Sequence, residues 1–139
     1  MAIAYNAAEL TMKAASQAFR RVLLAEDNAV NRQIVLELLQ VRGHYVKLAT
    51  NGLQVLQALD QETFDVILMD AQMPEMDGLQ TTAAIRDREK KTGGHVTIIA
   101  LTGLTAENDR RRCLEAGMDG YLGKPIRSTE LFEVIERVF

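Results

Sequence analysis

VILMDAQMPEMDGL, residues 66–79, passes from a wholly apolar β-rich run into an acid, then a proline-bearing loop, then a helix start at Gly78. A strand without polar alternation, Val66 to Met69, is buried on both faces, as central strands of parallel sheets are. Outward from it the same unit repeats. Strands are predicted at Val22 to Ala25, Tyr45 to Ala49, Thr97 to Leu101 and Gly120 to Leu122, each separated from the next by an amphipathic stretch. Alternation of this kind predicts an α/β fold: a doubly wound, five-stranded parallel sheet with five helices. The second strand, YVKLA, is the most polar and suits a sheet edge.

The helices are expected over Ala29 to Arg42, Leu53 to Leu59, Gly78 to Arg88, Ala106 to Ala116, and from Ser128 onward. Ile34, Leu38 and Val41 share one face of the first, and Gly43 supplies its stop. Ser128 is placed to cap the last helix, Glu130 to favour its positive end, and Leu131, Val134, Ile135 and Val138 to form its apolar stripe. Residues 1–20, rich in Ala and irregular in apolar spacing, read as a linker helix or an expression remnant ahead of a single domain over 21–139.

With 139 residues, 47% of them hydrophobic and 25% charged, the chain has material for one core rather than two. A formal charge of -3, with Arg110 to Arg112 the only basic run, argues against direct nucleic-acid binding. The lone Cys113 excludes an internal disulfide, and no Cys or His spacing suits a structural zinc. No apolar run approaches the roughly 18 to 20 residues that span a bilayer, so no membrane contact is expected from this segment. The expected compartment is the cytoplasm, including the case of a membrane-anchored parent protein.

In open parallel sheets the functional crevice lies beyond the carboxyl ends of the strands. There the sequence sets Glu26 and Asp27 after the first strand, Asp70 after the third, Thr102 after the fourth and Lys124 after the fifth. Three clustered carboxylates repel one another unless protons or a cation compensate, and a hard ion such as Mg²⁺ takes oxygen ligands and commonly joins carboxylate to phosphoryl oxygen. With cationic groups to neutralise the transferred oxygens, a carboxylate can attack phosphorus and form an aspartyl phosphate. Asp70, Lys124 and Thr102 are the candidate reactive groups.

The blocks VLLAEDN, ILMDAQMPEMDGL, IIALTG and AGMDGYLGKPI resemble the successive signatures of response-regulator receiver domains, over residues 21–139. The resemblance implies a flavodoxin-like strand order 2-1-3-4-5. It also implies that Asp70 is the phosphoacceptor, and that Glu26, Asp27, Asp70 and the backbone carbonyl of Gln72 hold Mg²⁺, with Mn²⁺ as the alternative ion. Thr102 then matches the hydroxyl that bonds the phosphoryl group, Lys124 its ion-pair partner, Tyr121 the switch aromatic, and Pro125 a cis-proline. Gly103 stands where the family most often has Ala. MDAQMPEMDGL and AGMDGYLGKP look most like receivers of hybrid sensor histidine kinases and phosphorelays. The implied partners are a histidine kinase or histidine phosphotransfer protein, with an attached kinase core in the parent chain as an alternative. The implied output face is the fourth helix, fifth strand and last helix.

Other readings compete. Taken singly, the acids are ordinary solvated charge, Asp27 and Asn28 can cap the first helix, and Tyr121 can be an edge aromatic. A metal-dependent phosphatase forming an aspartyl phosphate shares much of the site, but its acid two residues after the nucleophile is here Gln72. A flavin or nucleotide module lacks its glycine loop, since Glu26 to Ala29 contains none. A phosphorylation-independent pseudo-receiver is the remaining alternative. His44 and His95 read as exposed and without a role, Cys113 as an unreactive helix residue, and Met69, Met73, Met76 and Met118 as packing or loop residues, since thioethers suit a hard cation poorly.

Overall fold

The apolar runs end where charge begins, and the strands end with them. The computed structural model describes residues 19–103 and 107–137. Five parallel strands, β1 (Arg21–Ala25), β2 (Tyr45–Ala49), β3 (Val66–Asp70), β4 (Thr97–Thr102) and β5 (Gly120–Gly123), lie in the order β2-β1-β3-β4-β5. Between and after them run α1 (Ala29–Val41), α2 (Gly52–Gln61), α3 (Gly78–Thr92), α4 (Glu107–Ala116) and α5 (Ser128–Arg137). The polar β2 occupies an edge, as its composition predicts.

Alternation of side chains along the strands divides the core into two layers. Leu23, Ala25, Ile67, Met69, Ile98 and Ala100 face Val55, Ala58, Ile85 and Cys113, so α2, α3 and α4 cover that side. Val22, Leu24, Val66, Leu68, Ile99 and Leu101 face Val35, Leu39, Leu131 and Ile135, so α1 and α5 cover the other. Leu23, Leu24, Leu39, Ile67, Leu68, Ile98, Leu101, Leu131 and Ile135 are wholly buried, and each such side chain contributes roughly 1.5–3 kcal/mol.

Polar side chains fix where helices start. Asn28 accepts from the Asn31 N–H at 2.9 Å and Asn51 from the Gln54 N–H at 2.9 Å. Asp77 and Gln80 form a reciprocal capping box at the head of α3. The cap of α1 is therefore Asn28 and not Asp27, whose carboxylate remains available. Ser128 is not a cap: it lies inside the first turn of α5, where the Arg127 carbonyl accepts from the Leu131 N–H at 3.0 Å.

Three further expectations need correction. The buried stripe of α1 is Val35 and Leu39, with Leu38 only partly covered, while Ile34 is 47% and Val41 85% exposed. Val30, Ile34, Val35, Leu36, Leu38, Leu39 and Val41 spread around the helix, so several stripes satisfy the period, and packing against Val22, Leu24 and Leu68 selects among them. Next, α3 continues past Arg88 to Thr92, where Gly93 at φ 83° ends it and Lys90 and Lys91 meet the negative end of its dipole. Finally, His44 is buried rather than exposed: its Nδ1 accepts from the Arg20 N–H at 3.0 Å, and its Nε2 lies 3.6 Å from Glu136 Oε1. Burial pushes its proton affinity down, more than the Glu136 carboxylate raises it. His95 is exposed as expected and meets Asp119 at 2.7 Å. Val138, Ala106 and residues 1–18 lie outside the described residues.

Candidate functional site

The register aligns the carboxyl ends of the central strands, pairing Ala25 with Met69 and Asp70 with Leu101, so the residues that follow them share one edge. They line a cleft of about 440 Å³ that takes in Glu26, Asp27, Asp70, Gln72, Thr102 and Lys124. Glu26, Asp70 and Thr102 are buried and Asp27 is exposed. Tyr121 stands outside this lining. Its exposed ring lies beneath the Arg110 guanidinium, 4.4 Å from the ring centroid, a cation–π contact on β5.

Backbone hydrogen bonds set the floor. The Ala71 N–H donates to the Leu101 carbonyl at 3.2 Å, and the Gly78 N–H to the Ala71 carbonyl at 3.1 Å, curling the loop after β3 back on itself. A Cβ on Gly78 would run into the Asp70 carbonyl oxygen, so only glycine admits this closure. The Lys124 N–H donates to the Thr102 carbonyl at 2.7 Å, and the Lys124–Pro125 peptide is cis.

Lys124 Nζ lies 3.0 Å from Glu26 Oε2 and 3.3 Å from Asp70 Oδ2, one cation between two buried acids. Asp70 Oδ1 accepts from the Gln72 N–H at 3.0 Å. Burial pushes the Asp70 carboxyl up to about 6, and the neighbouring Glu26 charge adds to this, while the Gln72 N–H and Lys124 hold it down. Burial also works against the charge of Lys124, but Glu26 and Asp70 outweigh it and raise that amine.

Oxygens of Glu26, Asp27 and Asp70 all lie within 4.8 Å of one another. Glu26 Oε2 is buried and, although close to Lys124, is not aligned for a hydrogen bond. An all-oxygen donor set with one orphaned lone pair fits a hard divalent cation better than zinc or a soft metal. Asn28 and Asn31 also line the cleft, and Arg32 Nη1 donates to the backbone carbonyls of Glu26 and Asp27. The sequence singled out neither Asn31 nor Arg32. Both sit among ordinary polar positions of a helix, and only the turn back toward β1 brings them in.

A family model described as the response regulator receiver domain matches residues 22–136. Hybrid signal transduction histidine kinase B of Dictyostelium discoideum is 39% identical over 125 residues, covering 84% of this chain and 6% of that protein. Sensor histidine kinase GacS of Pseudomonas protegens is 42% identical over 116 residues, covering 83% and 13%. The chain thus spans a small part of the length of these relatives. Among solved structures, the receiver domain of a Pseudomonas aeruginosa sensor histidine kinase, with a magnesium ion coordinated in its active site cleft, superposes with TM-score 0.78 at 38% identity, covering 86% of this chain and 97% of that one. The receiver domain of Saccharomyces cerevisiae Ssk1, in a co-crystal with the histidine phosphotransfer protein Ypd1, gives TM-score 0.80 at 32% identity, covering 85% and 88%.

Proposed function

The chain belongs to the response regulator receiver family of two-component and phosphorelay systems, and from that premise we propose that it is a phosphorylation switch whose acceptor is Asp70. The observation that carries this reading is Lys124 set between Glu26 and Asp70 in a cleft where three carboxylates converge. Gln72 in place of an acid two positions after Asp70 weighs against a phosphatase that turns over small substrates.

The donor is a phosphohistidine of a histidine kinase or histidine phosphotransfer protein. One Asp70 carboxylate oxygen attacks phosphorus in line, the O–P bond forms as the N–P bond breaks, and the departing imidazole nitrogen keeps the electron pair and takes a proton from solvent. A carboxyl titrating near 6 is mostly ionised at neutral pH, as this attack requires. Glu26, Asp27, Asp70 and the Gln72 carbonyl would hold Mg²⁺, or Mn²⁺, which would supply charge to neutralise the phosphoryl oxygens. Lys124 pairs with the transferred group, and the Thr102 hydroxyl donates to it. That new charge of about -1.5 to -2 draws Thr102 inward and resets Tyr121, changing the face formed by α4, β5 and α5.

Val30 and Ile34, exposed on α1, and the Ile34–Pro125–Ile126 hollow offer apolar surface beside the cleft for the donor. We take the domain to span residues 21–139, with Arg20 tied to it through His44 and the Tyr45 N–H. An attached kinase core in the parent chain is consistent with the hybrid kinases it resembles. Among the described residues no helix is long and apolar enough to cross a membrane. We place the segment in the cytoplasm and assign it no direct nucleic-acid contact.

The test is intact mass after incubation with phosphoramidate or acetyl phosphate, with and without Mg²⁺, beside Asp70→Asn. A Mg²⁺-dependent, base-labile gain of one phosphoryl group, absent from the variant, is the expected result. Labelling that persists in the variant moves the acceptor elsewhere, and no labelling under any condition makes the chain a pseudo-receiver.

A further inference from the structure

The sheet ladder gives out just where the acids begin. The Glu26 N–H still donates to the Ala49 carbonyl at 3.1 Å, but the pairing of β1 with both neighbours ends at Ala25. The carbonyls of Glu26 and Asp27 therefore leave the sheet without a facing strand. One side chain takes both: Arg32 Nη1 donates to the Glu26 carbonyl at 2.9 Å and to the Asp27 carbonyl at 3.3 Å. Arg32 is half-buried, one turn into α1, and its own N–H is anchored on the Asn28 carbonyl at 2.9 Å.

That bond set opposes a defined force. The carboxylates of Glu26, Asp27 and Asp70 are crowded within 4.8 Å and repel one another. Lys124 answers the charge of Glu26 and Asp70 only. No ion pair between Arg32 and any of the three acids accompanies its hydrogen bonds among the described residues, so its hold is on the backbone that carries them. We propose that Arg32 is a positioning residue of the cation site: by clamping the two carbonyls it keeps the Glu26 and Asp27 carboxylates gathered before the cation arrives. This inference rests on the receiver reading above and concerns the apo geometry of its metal site.

Charge and positioning predict opposite signs. Removing a cation beside an acidic cluster should by itself tighten Mg²⁺ binding; losing the clamp should weaken it, as loss of outer partners of metal ligands commonly does. The experiment is titration of the whole chain with MgCl₂, followed by the amide NMR shifts of Gln72 and Gly103, for wild type, Arg32→Gln and Arg32→Lys, with thermal unfolding in EDTA as the fold control. Arg32→Gln is expected to weaken Mg²⁺ about tenfold, and Arg32→Lys, which keeps the charge and a donor, to recover at least half of that loss on a logarithmic scale. Arg32→Met, which keeps the aliphatic stem, carries the same expectation and serves if the Gln variant does not fold. Affinity equal to or tighter than wild type in the charge-removing variants overturns the positioning role while leaving the receiver reading intact. A wild-type chain that neither binds Mg²⁺ nor is labelled by phosphoramidate overturns both.

Discussion

Asp70→Asn is expected to stabilise the folded chain at neutral pH in the absence of metal, although it destroys the proposed acceptor. Asp70 is buried against Glu26, and its carboxyl titrates near 6 instead of the ordinary 3.8. For a group raised on folding, both states are protonated well below pH 3.8 and the penalty is nil. As pH rises from 4 to 6 the unfolded chain ionises first and stability falls; above 6 the penalty is complete, at about 3 kcal/mol. Asparagine removes it and its amide oxygen can still accept from the Gln72 N–H, while the lost Lys124 contact is already counted in the value near 6 that Lys124 helps to hold down. The net gain at pH 7.5 is therefore about 3 kcal/mol, or roughly 10 °C in Tm. Urea unfolding followed by far-UV circular dichroism in EDTA measures it. The difference between variant and wild type should fall to about half by pH 5 and nearly vanish by pH 4. Adding MgCl₂ should also narrow it, since the cation stabilises the chain that binds it better. A variant no more stable than wild type at pH 7.5, or a gap unchanged down to pH 4, would refute the assignment of Asp70 as the strained acid of this cluster.

Other perturbations follow from the same geometry. His44 resists protonation in the folded state, so the stability it confers is present above its ordinary 6.5 and is lost as pH falls below that value. His44→Asn should therefore flatten the pH 7 to 5 slope of Tm relative to wild type, and parallel slopes would show that His44 does not titrate with folding. Gly78→Ala forces a Cβ against the Asp70 carbonyl and should cost about 2–4 kcal/mol in urea unfolding, together with phosphoramidate labelling. Wild-type stability in that variant would mean that the loop after β3 yields without consequence. Lys124→Ala should retain Mg²⁺ binding by NMR titration yet weaken phosphorylation-dependent partner binding. Unchanged phosphotransfer and output would remove Lys124 from the mechanism.

Strand positions were legible to within a residue or two, because each apolar run stops at a residue that cannot be buried without a partner: Glu26, Asp70, Thr102. The residues that line the cleft were legible for the same reason, since an acid, a hydroxyl or an amine after a strand lands on the carboxyl edge whatever the details of packing. Distances were not. That Lys124 lies between Glu26 and Asp70, and that Asp70 is pushed toward neutrality, depends on strands far apart in sequence becoming neighbours in the order β2-β1-β3-β4-β5. The α1 face was ambiguous because its apolar residues satisfy more than one helical stripe, and only docking on Val22, Leu24 and Leu68 shows that Val35 and Leu39 go inward. His44 follows a turn glycine and reads as solvated, yet Arg20 from before β1 and Glu136 from α5 close over it. Arg32 resembles any helix-surface cation until the backbone of Glu26 and Asp27 is brought beneath it. Periodicity and residue chemistry are local and survive in one dimension, whereas which polar groups meet is a property of chain crossings that sequence order does not carry.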